Sequence, residues 1–189
     1  MNKKIALIVS AVVMTALIAA GGTLAYFTTS ATAANVVTMG NVKIQIVEQQ
    51  PKEGILSTVP GGKYAKPVSV KNTGDNTAYI RMSINHSWQE GEQEYNPELI
   101  EIEVDPNSGW VKGEDGYFYY QTAVKAGEST KNIFDNFRLS TAVDNSYAGI
   151  KGQISLTAHA IQADNFQPAT NVTGNIVSWG TVGNFGMPS

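Results

Sequence analysis

The chain has 189 residues, 13 basic against 16 acidic side chains, a net charge of −3 and no cysteine. A nucleic-acid partner is excluded, because it needs a clustered basic face. So is a disulfide scaffold; this length supports one domain whose core can do without such bridges.

Lys3 and Lys4 open the chain, and an apolar run from Ile5 to Ala20 follows, broken only by Ser10 and Thr15. A basic start, an apolar stretch and a small-residue exit predict a secretory signal peptide over residues 1–25. As a helix the run is about 24 Å long, short of the roughly 20 residues a membrane span requires. Cleavage is therefore expected, between Ala25 and Tyr26 after the triplet Thr23-Leu24-Ala25. A second small-residue triplet, Ala31-Thr32-Ala33, lies far from the apolar run. Membrane contact is expected only through the uncleaved leader. Two of the basic residues leave with it, so the mature chain carries a net charge of about −5 and is a poor match for an anionic membrane surface.

Residues 26–40 form an N-terminal arm. Thr28–Met39 is uncharged and β-prone, with Ala31, Ala33, Val36 and Val37 as candidate donor-strand residues. A liberated arm with unpaired backbone groups can add to an open sheet edge of a neighbouring copy. Such a head-to-tail contact does not close and propagates into a filament. The alternative is that the arm completes its own sheet.

Residues 41–166 read as β structure. Val42, Ile44 and Ile46 alternate with polar neighbours, as do Ala78, Ile80, Met82 and Ile84, then Ile100, Ile102 and Val104. The longest such series is Ile150, Gly152, Ile154, Leu156, Ala158 and Ala160. A period of two with one apolar face predicts antiparallel strands covered on one side. Shorter runs lie at Pro67–Lys71, Tyr117–Gln121 and Ile133–Leu139; Ile133–Phe137 fits either a strand or a short helix, and Glu90–Asn96 fits one helical turn. Turn signals separate these runs, and Asp115-Gly116 marks a hairpin. The expected fold is an all-β, antiparallel sandwich of jelly-roll or immunoglobulin-like type, with roughly seven to nine strands and little helix. Residues 167–189 form a Gly/Asn/Thr-rich tail without charge. It reads as a loosely held terminus or as a last edge strand at Asn175–Trp179.

The leader carries a family resemblance. Lys3-Lys4, the apolar stretch, Gly21-Gly22-Thr23 and Ala25-Tyr26-Phe27 resemble the start of the TasA/camelysin family. Thr38-Met39-Gly40-Asn41-Val42-Lys43-Ile44, Val70-Lys71-Asn72-Thr73-Gly74, Ala78-Tyr79-Ile80-Arg81 and Ala160-Ile161-Gln162-Ala163 extend the similarity to about residue 166. The resemblance implies a secreted protein of the extracellular matrix or cell surface, processed by a dedicated signal peptidase of the SipW type. It also implies biofilm-matrix fibres built by donated N-terminal strands, with other copies of the chain, or a related matrix protein, as partners.

The camelysin branch carries a metallopeptidase label, so catalytic patterns matter. The only histidines are His86 and His159. They lack the His-Glu-x-x-His spacing that places two ligands on one helical face, and a zinc site from both plus a carboxylate is the weak alternative. There is no nucleophile elbow and no phosphate-cradling loop. The acidic run Glu90, Glu92, Glu94, Glu98, Glu101, Glu103 and Asp105 lacks calcium-loop spacing. Tyr117-Phe118-Tyr119-Tyr120 should split between core and sheet surface. No catalytic residue, metal or cofactor is expected, and the chain reads as structural rather than enzymatic. A monomeric adhesion or ligand-binding sandwich is the other non-enzymatic reading.

Overall fold

The computed structural model describes residues 34–39, 41–48, 59–89, 95–148, 150–164 and 166–180. The leader, the cleavage residues Ala25 and Tyr26, and the arm residues Ala31 and Ala33 lie outside these. Among the described residues eleven strands run in chain order: β1 (Ala34–Met39), β2 (Ile44–Glu48), β3 (Lys63–Asn72), β4 (Ala78–Gln89), β5 (Ile100–Ile102), β6 (Trp110–Lys112), β7 (Phe118–Tyr120), β8 (Phe134–Leu139), β9 (Lys151–Gln162), β10 (Ala169–Thr170) and β11 (Ile176–Ser178). Helix is confined, among the described residues, to two single 3-10 turns at Pro97–Leu99 and Asn145–Tyr147.

Nine strands form two sheets, one ordered β1-β9-β4-β7-β6 and the other β2-β3-β8-β5. Apart from the β2–β3 and β6–β7 neighbours, successive strands from β1 to β9 alternate between the sheets, the wrapping expected of a jelly-roll-type sandwich. The inner faces share one core. Val68 and Val70 of β3 and Phe134 and Phe137 of β8 meet Ile80 and Met82 of β4 and Ile154, Leu156 and Ala158 of β9, all buried.

The period-two reading is realised most fully in β4 and β9. They pair antiparallel over their whole length, from Ala78 opposite Gln162 to Gln89 opposite Lys151. Ile133–Phe137, open between helix and strand, resolves as the start of β8 with Ile133 buried just ahead of it. Pro67 sits in a central strand, where it cannot donate a ladder hydrogen bond. The β3–β8 register shifts between Ala65 and Val68, which accommodates it at an irregularity. The Asp115-Gly116 turn closes the β6–β7 hairpin, and Gly116 takes φ +84°, open to glycine at no steric cost.

Two features depart from simple expectation. β1 pairs with β9 in parallel, from Ala34 opposite Leu156 to Met39 opposite Ile161, in an otherwise antiparallel sheet. Strand direction leaves no mark on an alternation pattern, so the sequence carries no sign of it. The tail is the second. In its described part the strand expected at Asn175–Trp179 does form, as β11, but it pairs with β10 in a small hairpin rather than at an edge of either main sheet. Ile176 and Trp179 are buried against Tyr119 and Ile161 on the outer face of the five-stranded sheet.

Candidate functional site

Among the described residues β1 occupies one edge of the five-stranded sheet and pairs there with β9 alone. Val36 lies opposite Ala158 and Val37 opposite His159. Ala158 is fully buried, whereas Val36 keeps 43% of its surface exposed. β9 is held on its other side by the long β4 ladder. The donor-strand candidates thus divide: Val36 and Val37 sit on β1, while Ala31 and Ala33 lie outside the described residues. The described chain therefore shows β1 on the β9 edge of its own sheet.

A second assembly lies on the outer face of the same sheet. The row Val37, His159, Arg81, Tyr119 crosses β1, β9, β4 and β7 in register. The Arg81 guanidinium lies 4.1 Å from the Tyr117 ring centre and 4.5 Å from that of Trp179. Both are cation–π contacts. Arg81 Nη1 donates to Tyr119 Oη at 3.1 Å and lies 3.5 Å from Asp115 Oδ2. Tyr119 donates to the same Asp115 oxygen at 2.6 Å.

Arg81 Nη2 lies 3.2 Å from His159 Nδ1. A guanidinium can only donate, so Nδ1 is the acceptor and the ring proton sits on Nε2. Burial, with the adjacent Arg81 charge adding to it, pushes the His159 pKa below the usual histidine value. Burial and the hydrogen bond to Asp115 raise that of Tyr119, against the opposing effect of Arg81.

The C-terminal hairpin closes over this row. The side chain of Gln121 imitates a pairing strand: its Oε1 accepts from Ile176 N at 2.7 Å, and its Nε2 donates to Ile176 O at 2.9 Å. Gly113 is buried beneath Val177. A Cβ there would lie 2.3 Å from the Val177 carbonyl oxygen, so no other residue allows this approach. The aromatic run does split as its alternation implies. Phe118 and Tyr120 pack on the main core, and Tyr119 points outward, but it is fully buried under the hairpin instead of facing solvent. Sequence reasoning missed this cluster because Arg81, Tyr117 and His159 read as the polar side of strands. The one available signal was Trp179, a large apolar anchor in an otherwise featureless tail.

The two histidines do not share a site. His159 lies opposite Arg81, and His86 lies five positions further along β4, opposite Ile154. That is about 17 Å at roughly 3.4 Å per residue, and an odd offset places them on opposite faces. His86 Nδ1 is 2.8 Å from the Pro97 carbonyl, to which it donates. A metal at His159 Nδ1 would compete with a guanidinium charge. Among the described residues no three His, Cys, Asp or Glu side chains are grouped to hold an ion. These residues do not fit a metal centre. Of the acidic run, Glu90, Glu92 and Glu94 lie outside the described residues. Glu101, Glu103 and Asp105 line a groove of about 410 Å³ together with Lys63, Asp135 and Arg138, so the charge there is mixed.

The fold defines a two-sheet β-sandwich with an edge strand supplied by its N-terminal segment and a hairpin appended at its C-terminal end. Within that class, the sequence pattern of the family described as camelysin metallo-endopeptidase matches residues 1–155. The chain belongs to this family, which includes TasA. No curated protein matches it. Among the described residues no helix is long and apolar enough to cross a membrane.

Proposed function

We propose that this chain is a secreted structural protein that assembles into extracellular-matrix or cell-surface fibres. In this reading a dedicated signal peptidase removes residues 1–25. Each mature copy then places its arm, through Val36 and Val37, on the β9 edge of the next copy. Its partners are other copies of itself and a related matrix protein, and it needs no cofactor.

The observation that carries the reading is the position of β1. It is a short edge strand, paired on one side only, in the parallel arrangement that is slightly weaker per residue. It leads directly from the segment freed by processing. A strand that completes its own sheet can complete a neighbour's with the same contacts, which is the low-cost route of domain swapping. Before cleavage the arm is tethered to the leader, so processing supplies the switch.

The test uses the absence of native cysteine. A Val36→Cys/Ala158→Cys pair joins directly opposed residues of β1 and β9, within the span a disulfide tolerates. Electron microscopy of the oxidised mature protein should show monomers, and the same sample after reduction should show fibres. Equal assembly in both states, or fibres from a chain lacking residues 26–39, refutes strand donation.

A further inference from the structure

We propose that the C-terminal hairpin is an acid-opened latch: neutral His159 holds it shut through Arg81, and protonated His159 releases it. The hairpin lies beyond the 1–155 segment matched by the family pattern, and the inference stands apart from fibre assembly.

The geometry makes Arg81 the clasp. Trp179 covers one side of its guanidinium and Tyr117 lies against it as well. With the hairpin closed, the cation is fixed 3.2 Å from His159 Nδ1, the atom that must accept the proton. The Tyr117 ring also lies against the imidazole, 5.2 Å between centres. Protonation turns an acceptor facing a donor into two like charges in a partly buried site. Opening the hairpin removes Trp179, and Arg81 can then swing away into solvent. Charge on His159 is thus tolerated in the open state and opposed in the closed one.

The other groups facing this position do not cancel the effect. From β7 comes Tyr119, whose pKa is raised by burial and by its hydrogen bond to Asp115, and just before it the Tyr117 ring. Asp115 is engaged by both Tyr119 and Arg81 on the side of the clasp away from His159. On β1 the residue opposite His159 is Val37, which has no titratable group. Asp164, beyond the end of β9, is exposed and is bound by Gln162 Nε2. One further sign marks the clasp as poised. Arg81 Nε is buried and, among the described residues, makes no hydrogen bond, so the closed state leaves a donor unsatisfied.

The sign follows from linkage. The closed state depresses the His159 pKa, so closure is fully favoured above the ordinary histidine value near 6.5 and is lost as pH falls below it. One linked proton sets the slope at up to about tenfold in the opening constant per pH unit.

Hydrogen exchange of the mature protein reads this directly at the Ile176 amide, which Gln121 holds. After correction for the intrinsic pH dependence, its protection should fall up to about tenfold per unit from pH 6.5 to 5, while the β4 and β9 amides stay protected. His159→Gln, which keeps a neutral acceptor, should hold protection constant over that range. His159→Lys should open the hairpin already at pH 7. Unchanged wild-type protection between pH 7 and 5 overturns the latch. So does the same acid opening in His159→Gln, which would assign it to carboxylates, and so does simultaneous loss at Ile176, β4 and β9, which would be global unfolding.

Discussion

Lys66 is a charged side chain placed where the β3 alternation calls for an apolar one. It is 6% exposed, and its Nζ lies 2.6 Å from Oε2 of Glu48, itself 13% exposed, on the neighbouring β2. At an effective dielectric of about 20, that separation gives roughly 6 kcal/mol of attraction. Desolvation of the two ions offsets most of it. The pair therefore adds little net stability, but removing one member is expensive. Glu48→Leu should cost about 3–5 kcal/mol of a total near 5–15 kcal/mol. Urea unfolding of the mature chain measures this loss, and Lys66→Met/Glu48→Leu, which removes both ions, should lie within about 1 kcal/mol of wild type. A Glu48→Leu deficit under about 1 kcal/mol, or a double variant that loses as much as the single one, would falsify the assignment of a buried, mutually dependent pair.

Other expectations follow from single sites. Gly113→Ala puts a Cβ against the Val177 carbonyl; it should displace the C-terminal hairpin and speed exchange at Ile176, leaving the main core cooperative in thermal unfolding. Leu156→Ala, at a fully buried position of β9, should cost about 3–5 kcal/mol in urea titration. Asn72 is fully buried, donates to Asn76 O and Val124 O and accepts from Gly74 N. Asn72→Leu orphans these groups and should cost about 2–3 kcal/mol in the same assay. Mature wild-type protein should leave protein substrates intact; chelator-sensitive hydrolysis that disappears in His86→Ala/His159→Ala would replace the structural reading with a peptidase.

The alternation that sequence displays is a record of one interface only, the one between the two sheets. Ile80, Met82, Ile154 and Leu156 are legible because each has a polar neighbour on either side. The second interface is written in side chains that serve as polar residues elsewhere. Arg81 is held by rings, Gln121 acts as a strand, and Gly113 matters for the atoms it lacks. None of these leaves a periodic trace, and the partners that make them meaningful are 36 to 98 positions away (Arg81 to Tyr117, Arg81 to Trp179). Lys66 is hidden for a related reason: a lysine on an apolar face announces itself as an error until Glu48 is placed beside it. The sequence allows the arm to complete its own sheet, but the edge position and parallel direction of β1 depend on how the chain enters the sheet, which composition does not encode.

β9 is where these features meet, and its two ladders differ in a way the proposed strand donation requires. Twelve residue pairs join it to β4, and six join it to β1. The inward side chains from Ile154 to Ala160 are packed against the opposite sheet. Removing β1 breaks the shorter ladder and uncovers a line of backbone groups, and the core residues of β9 remain clamped by β4. In the assembly proposed above, that edge offers an incoming strand the backbone register that Ala34–Met39 occupies within its own chain, from Leu156 to Ile161. A second copy of β1 would take up the same six pairings, and the β4 ladder would keep β9 in place while the strands exchange.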